Sequence, residues 1–336
     1  MSELTMGTTL QGVDSPGDFV EWVRRIEDWG YDYLWVTDSS LHARYCYAYL
    51  TLAATNSTHL ILGTNCTHPH TRHPAINANA IATVNEISGG RTILGIGAGD
   101  SPVQELGAPI GKLREVRSMV EVARRLYGGE RFDYEGPHFE LENGSIHYGL
   151  EGVEPPKIYL TVSGPKMLEM GGEIADGLII HCGAFREGLE FALSCVKKGA
   201  DKAGRSIDDI DIAWHLFGVL DEDVDAARAA ARPMAAWFPK RSPLYCRMAG
   251  VPDELSDEIR SVYSGGEFHE AKRAHELTTD DMVDKFTVAG GADVWQERIA
   301  IAQEFGISHI EIFPVTADRG ELLESISTQV IRPLRA

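Results

Sequence analysis

The stretch from Leu60 to Asp100, LILGTNCTHPHTRHPAINANAIATVNEISGGRTILGIGAGD, decides the fold. Its first part belongs to a β-rich run, His59–Asn65, that reads as a strand. A polar, proline-containing segment follows, and Pro74 then sits in the first turn of a helix over Pro74–Ile87. Arg91–Gly97 is a second strand. Strand, loop, helix and strand in one short span make a parallel βαβ unit.

The same alternation runs outward in both directions. Toward the N-terminus it gives a strand at Thr5–Leu10, a helix at Pro16–Trp29 beginning near Ser15, a strand at Tyr31–Thr37 and a helix at Arg44–Thr55. Toward the C-terminus it gives a helix at Lys112–Tyr127, a strand at Ile158–Val162, a helix at Pro165–Ala175, a strand at Leu178–His181 and a helix at Glu187–Ala203. Strands at Ile210–Val219 and Ile307–Phe313 follow, with a last helix beyond Asp318. Eight strands, apolar on both faces and mostly separated by helices, predict an α/β fold, the (β/α)8 TIM barrel, over an open sheet. Two stretches exceed the minimal unit. The first, about 130–156, holds a polar and aromatic run at Phe132–Tyr148 that reads as a hairpin or loop. The second, Glu222–Phe286, is mostly helical and flanks the barrel after strand seven. The reading is of one barrel domain over 1–336 with two insertions.

Composition narrows the function classes. The formal net charge is −19 over 336 residues, which disfavours nucleic-acid partners and anionic membranes. The five cysteines, Cys46, Cys66, Cys182, Cys195 and Cys246, include no C-x-x-C pair, so neither a zinc site nor a disulfide framework is expected. No basic segment followed by an apolar run opens the chain, and no run has the length of a transmembrane helix; a cytoplasmic protein is expected.

Barrel enzymes build their sites at the C-terminal ends of the strands, and that rule selects a short list here. After strand two stand Asp38 and Ser39; the carboxylate could handle a proton, orient a ligand or cap a helix. After strand three come Asn65 and Cys66, then His68, His70 and His73 in a proline-stiffened loop. The three histidines invite a metal-hydrolase reading, but no second ligand set is evident, and no metal is expected. After strand four, Gly95-Ile96-Gly97-Ala98-Gly99-Asp100 lets backbone approach a flat ligand closely, though it lacks the spacing of a dinucleotide fingerprint. After strand five, Ser163-Gly164-Pro165-Lys166-Met167 starts a helix suited to a phosphate. After strand six come His181, Cys182 and Gly183. On strand seven Trp214 and His215 alternate, so one of them faces the barrel interior. Successive strand ends that offer a flat berth, backbone contact and an anion site fit a flavin or deazaflavin nucleotide.

At these residues the sequence resembles the bacterial-luciferase-like superfamily of flavin enzymes, and is most similar to its branch that uses the deazaflavin coenzyme F420, the methylenetetrahydromethanopterin reductase type. The segments that carry the resemblance are YDYLWVTD (31–38), the stretch quoted at the outset and SGPKMLEMGGEIADGLI (163–179). The resemblance implies a barrel that assembles as a homodimer, with F420 (or FMN) as cofactor and a small-molecule substrate. It implies a non-proline cis peptide between Asn65 and Cys66 behind the central ring. It places Asp38 beside the reactive edge, Gly97, Ala98, Gly99 and Asp100 along the ring and substrate, Val162, Ser163, Gly164 and Met167 on the phosphate and tail, and His181, Cys182 and Gly183 on the far rim. Asp38 and Asp100 are the candidate catalytic residues, one of them held protonated by burial or mutual repulsion. Ser39, His68, His70 and Trp214 are candidate substrate contacts. Ser39 departs from the histidine that sugar-phosphate and alcohol dehydrogenase relatives carry there, which removes the basis for their proton abstraction. Histidines at 68 and 70 depart from the reductase branch and point to a different substrate. The expected activity is hydride transfer between reduced deazaflavin and a C=N, C=C or C=O acceptor. The rival readings are an FMN monooxygenase, a metal hydrolase and a non-catalytic flavin-binding protein.

Overall fold

Alternate residues along five strands of this protein fall into two separate apolar groups, and that division defines the barrel. The computed structural model describes residues 4–148, 152–263, 272–316 and 318–335. Its strands are β1 (Thr5–Leu10), β2 (Tyr33–Val36), β3 (Ile61–Thr64), β4 (Thr92–Ile96), β5 (Phe132–Glu135), β6 (Glu140–Gly144), β7 (Lys157–Val162), β8 (Gly177–Ile180), β9 (Asp211–Leu220), β10 (Thr287–Gly290) and β11 (His309–Pro314). Eight of them, all but β5, β6 and β10, pair in parallel around a ring that the β8–β9 pairing closes. This is the (β/α)8 barrel. Outward residues such as Leu34, Leu94, Leu160, Leu178, Trp214 and Ile310 join the large core under the helices. Inward residues Trp35, Ile93, Tyr159, Ile179 and Ala213 form a small core of their own inside the barrel.

That inner core is a plug of rings set against glycines. A Cβ on Gly63 would fall 2.3 Å from the Trp35 ring, one on Gly177 2.4 Å from Tyr159, and one on Gly7 2.6 Å from His309. Trp35 is fully buried and donates from its indole to His309 Nε2 at 3.4 Å. The plug fills the lower half of the barrel, so any ligand is confined to the upper half.

The helices start where the sequence caps them. Ser15 accepts from the Asp18 amide at the head of Pro16–Asp28, and His73 Nδ1 accepts from the Ala75 amide at the head of Pro74–Ser88. Phe132–Gly144 forms an antiparallel hairpin, β5–β6. Helices at Val224–Ala235, Phe238–Arg241, Pro243–Met248, Asp253–Val262 and Asp280–Phe286 follow β9. The strand β10 and the helix Ala292–Glu304 after it were not expected from the sequence. The four residues TVAG are too few to show a period. They become a strand because β9 runs past the end of β8, and its upper half pairs with them from Thr287↔Phe217 to Gly290↔Leu220. No helix among the described residues is long and apolar enough to cross a membrane.

Candidate active site

Above the plug, the next inward layer is small and polar, and a cavity of about 460 Å³ opens there. Hydrogen bonds cross its floor from strand to strand. Asn65 donates from its amide to the Thr9 hydroxyl at 3.2 Å, and Thr161 donates to Asn65 Oδ1 at 3.2 Å. Thr9 in turn donates to the fully buried Glu311 carboxylate, which also holds His215 Nδ1. The His181 ring lies over that of His215, with centroids 3.7 Å apart and planes inclined by 19°. The peptide bond between Asn65 and Cys66 is cis. Gly97 has room only for hydrogen: a Cβ there would stand 2.3 Å from Cys66 Sγ. Gly99 takes φ +97°, a conformation that favours glycine.

Charge is concentrated on one side of the mouth. Asp38 is buried and bound by both terminal nitrogens of Arg72, with Nη2–Oδ1 at 2.7 Å, and Thr67 donates to Asp38 Oδ2 at 2.8 Å. Burial by itself would raise the Asp38 carboxyl, but Arg72, assisted by Thr67, outweighs it and holds the group below its usual range. Arg72 also lies over the Tyr45 ring at 4.7 Å. Asp100 pairs with Arg241, which the helix Phe238–Arg241 brings across the mouth. Each carboxylate therefore has its own guanidinium, and the expectation that one is held protonated fails for Asp38. Burial pushes His68 down to about 4 against the raising field of Asp38, so the imidazole is neutral near pH 7. Burial likewise pushes the Cys66 thiol up to about 12, which leaves it a poor nucleophile.

The opposite side is the start of a helix. Gly164 caps the helix Pro165–Ile174, and the space a Cβ would occupy there is open to 4 Å. The Ser163 and Ser242 hydroxyls are 2.8 Å apart beside it, and Tyr245 donates to the Ser163 carbonyl at 2.9 Å. Exposed helix N–H groups and hydroxyls together suit a phosphate.

Most of the residues singled out from the sequence meet on this cavity: Asp38 and Ser39 after β2; Asn65, Cys66 and His68 after β3; Gly97, Ala98, Gly99 and Asp100 after β4. Val162, Ser163, Gly164, Met167 and His181 complete the set. Four lie outside its lining. Trp214 faces outward into the helix layer and donates to the Gly183 carbonyl at 2.9 Å; His215 is the inward neighbour. Cys182 is buried beside it, and Gly183 packs against Phe185 and the Lys285 carbonyl. His70 binds Glu115 at 3.0 Å, and its ring lies 4.8 Å from that of His138 of the β5–β6 hairpin, inclined by 58°. With His73 at a helix start, the three histidines of the loop do not converge. Among the described residues no group of three or more His, Cys, Asp or Glu side chains could hold a metal ion. Sequence reasoning missed Arg72, Arg241 and Glu311 at the site. It also missed Trp237 and Phe313, which line the cavity with Phe217. Glu311 carried one signal, an acid between two isoleucines of a strand.

The fold and cavity define the class: a parallel-barrel protein whose strand ends open on one cavity lined by glycine backbone and imidazoles. A family model described as luciferase-like monooxygenase matches residues 2–309, and the chain belongs to that family. It is 30% identical to the 5,10-methylenetetrahydromethanopterin reductase of Methanopyrus kandleri, covering 98% of this chain and 99% of that one. It is 32% identical to the reductase of the same name from Archaeoglobus fulgidus, covering 94% and 95%. The solved structure of the coenzyme F420 dependent tetrahydromethanopterin reductase from Methanopyrus kandleri matches with a TM-score of 0.88 at 28% identity, covering 99% of this chain and 100% of that chain.

Proposed function

We propose that this chain is an F420-dependent oxidoreductase that moves a hydride between the reduced deazaflavin and a small organic substrate with a C=N, C=C or C=O bond. The observation that carries it is the layered barrel interior. Aromatic rings plug the lower half, while Asn65, Cys66, Gly97 and Gly99 line the upper half, where Gly97 has room only for hydrogen beside Cys66. The helix start at Gly164 would hold the phosphate. Whole-length likeness to F420-dependent reductases supports the same cofactor.

When bound, F420 supplies the hydride chemistry at its ring carbon. The protein supplies position and field. Asn65, Cys66 and Gly97 would back the ring, Gly99 and Asp100 would border the substrate, and Ser163, Gly164 and Met167 would hold the phosphate and tail. Asp38 and Arg72 form a fixed, mutually neutralised ion pair at the mouth. Arg241 on Asp100 gives a substrate anion a cation to meet. We place the enzyme in the cytoplasm as a homodimer.

Titration of the purified chain with F420 and with FMN, followed by absorbance and fluorescence, tests this. Saturable micromolar binding of F420 with weaker FMN binding is expected. Tighter binding of FMN would move the protein to flavin monooxygenase chemistry, and binding of neither would end the proposal.

A further inference from the structure

Both carboxylates at the mouth are engaged, Asp38 by Arg72 and Asp100 by Arg241. A different acid–base couple lies deeper. Glu311, on β11, is fully buried and faces the barrel interior. One of its oxygens accepts from the Thr9 hydroxyl, and the other meets His215 Nδ1. His215 lines the cavity, and its Nε2 is buried without a partner among the described residues. A carboxylate on Nδ1 settles the tautomer and leaves Nε2 as the atom that exchanges a proton.

The surroundings limit what this couple can hold. From β8, His181 stacks on His215, and both His181 ring nitrogens are buried and unpartnered. Burial first, and the neighbouring imidazole second, keep His181 neutral. From β1 and β3, Thr9 and Asn65 bring only neutral groups. The titratable groups facing His215 are thus Glu311 and His181. Two cationic imidazoles stacked at 3.7 Å would repel, so the pair carries at most one extra proton, and Glu311 balances it.

We propose that His215, oriented by Glu311, exchanges a proton with the bound ligand through Nε2 and so supplies the proton that accompanies hydride transfer. This rests on the deazaflavin reading of the cavity. In reduction of a C=N or C=O bond, the hydride pair forms the new C–H bond and the π pair moves to the heteroatom. His215 Nε2, which carries no proton at rest, would accept the proton that the reduced cofactor releases with its hydride and pass it to the heteroatom, so that the imidazole is unchanged over a turnover. Glu311 acts through His215 and is a positioning residue.

The test uses the full chain with reduced and oxidised F420 as probes. In spectra of isotope-labelled histidine nitrogens, wild-type His215, assigned with His215→Gln, should carry its proton on Nδ1 and show a change at Nε2 on saturation. Heats of binding in two buffers of different ionisation enthalpy count the protons exchanged. The wild-type count should vary with pH, and Glu311→Gln should flatten it while changing Kd less than about tenfold. Should Glu311→Gln fail to fold, the wild-type spectra decide alone. Binding with no response at Nε2, or a proton count in Glu311→Gln that follows the wild type, overturns the proposal and leaves the cofactor reading standing. Binding of neither form overturns the cofactor reading and this proposal with it.

Discussion

At the scale of single residues, Asp38 and Arg72 show how a site charge is held in place. The side chains are 3% and 14% exposed, and the pair is bidentate. Removing one partner strands a buried charge, which costs far more than the pair contributes. Arg72→Met should therefore lower unfolding stability by about 3 kcal/mol, and Asp38→Asn in the same chain should recover part of the loss. Urea denaturation of the two variants checks this; a loss below about 1 kcal/mol for Arg72→Met would mean that solvent or a neighbour screens Asp38. Asp38 was legible in the sequence because it follows a strand. Arg72 was not, because nothing local ties a loop residue to a carboxylate thirty-four positions earlier.

At the scale of elements, β4 and the residue that follows it separate a packing role from a site role within three residues. A Cβ on Gly95 would fall 1.9 Å from the Thr64 carbonyl oxygen, a backbone atom of β3. A Cβ on Gly97 would instead meet the Cys66 thiol, the far end of a small side chain. Gly95→Ala should cost about 3 kcal/mol, while Gly97→Ala costs about 1 kcal/mol and weakens F420 binding at least about tenfold by pushing Cys66 toward the cavity. Adding Cys66→Ala to Gly97→Ala should restore much of the binding. Thermal unfolding and fluorescence titration of the three variants decide the matter; F420 affinity unaltered in Gly97→Ala would remove the glycine from the berth. Gly95 and Gly97 were plain in the sequence. The strand β10 was not, since its pairing depends on how far β9 outruns β8.

At the scale of the molecule, buried neutral histidines set an acid limit on stability. Burial pushes His68 down to about 4 and His309 down to about 3. The unfolded chain takes up protons at these residues below about pH 6.5, whereas the folded chain does not until lower pH. The unfolded state then binds more protons, so stability falls as pH drops from about 6.5 toward 4, on the order of 3 kcal/mol for each histidine. Relief of self-repulsion in a chain of net charge −19 acts in the opposite sense, so the variant comparison is the clean measurement. Urea unfolding from pH 7 to 4.5 should show a steeper acid loss for the wild type than for His68→Gln. Parallel curves would mean that His68 is protonated while folded.

The sequence by itself determined the alternation of strand and helix, the closed parallel sheet it implies, and the glycines and helix start that mark the cavity. These are local properties: periodicity, conformational freedom and capping are written in neighbouring residues. The tertiary structure alone decided which neighbour on β9 enters the barrel. A strand covered on both faces is apolar throughout, so alternation is visible but its phase is not, and Trp214 and His215 could not be told apart. Only the register of β9 against β11, which sets His215 opposite Glu311, brings an imidazole and a carboxylate from distant parts of the chain into one buried couple.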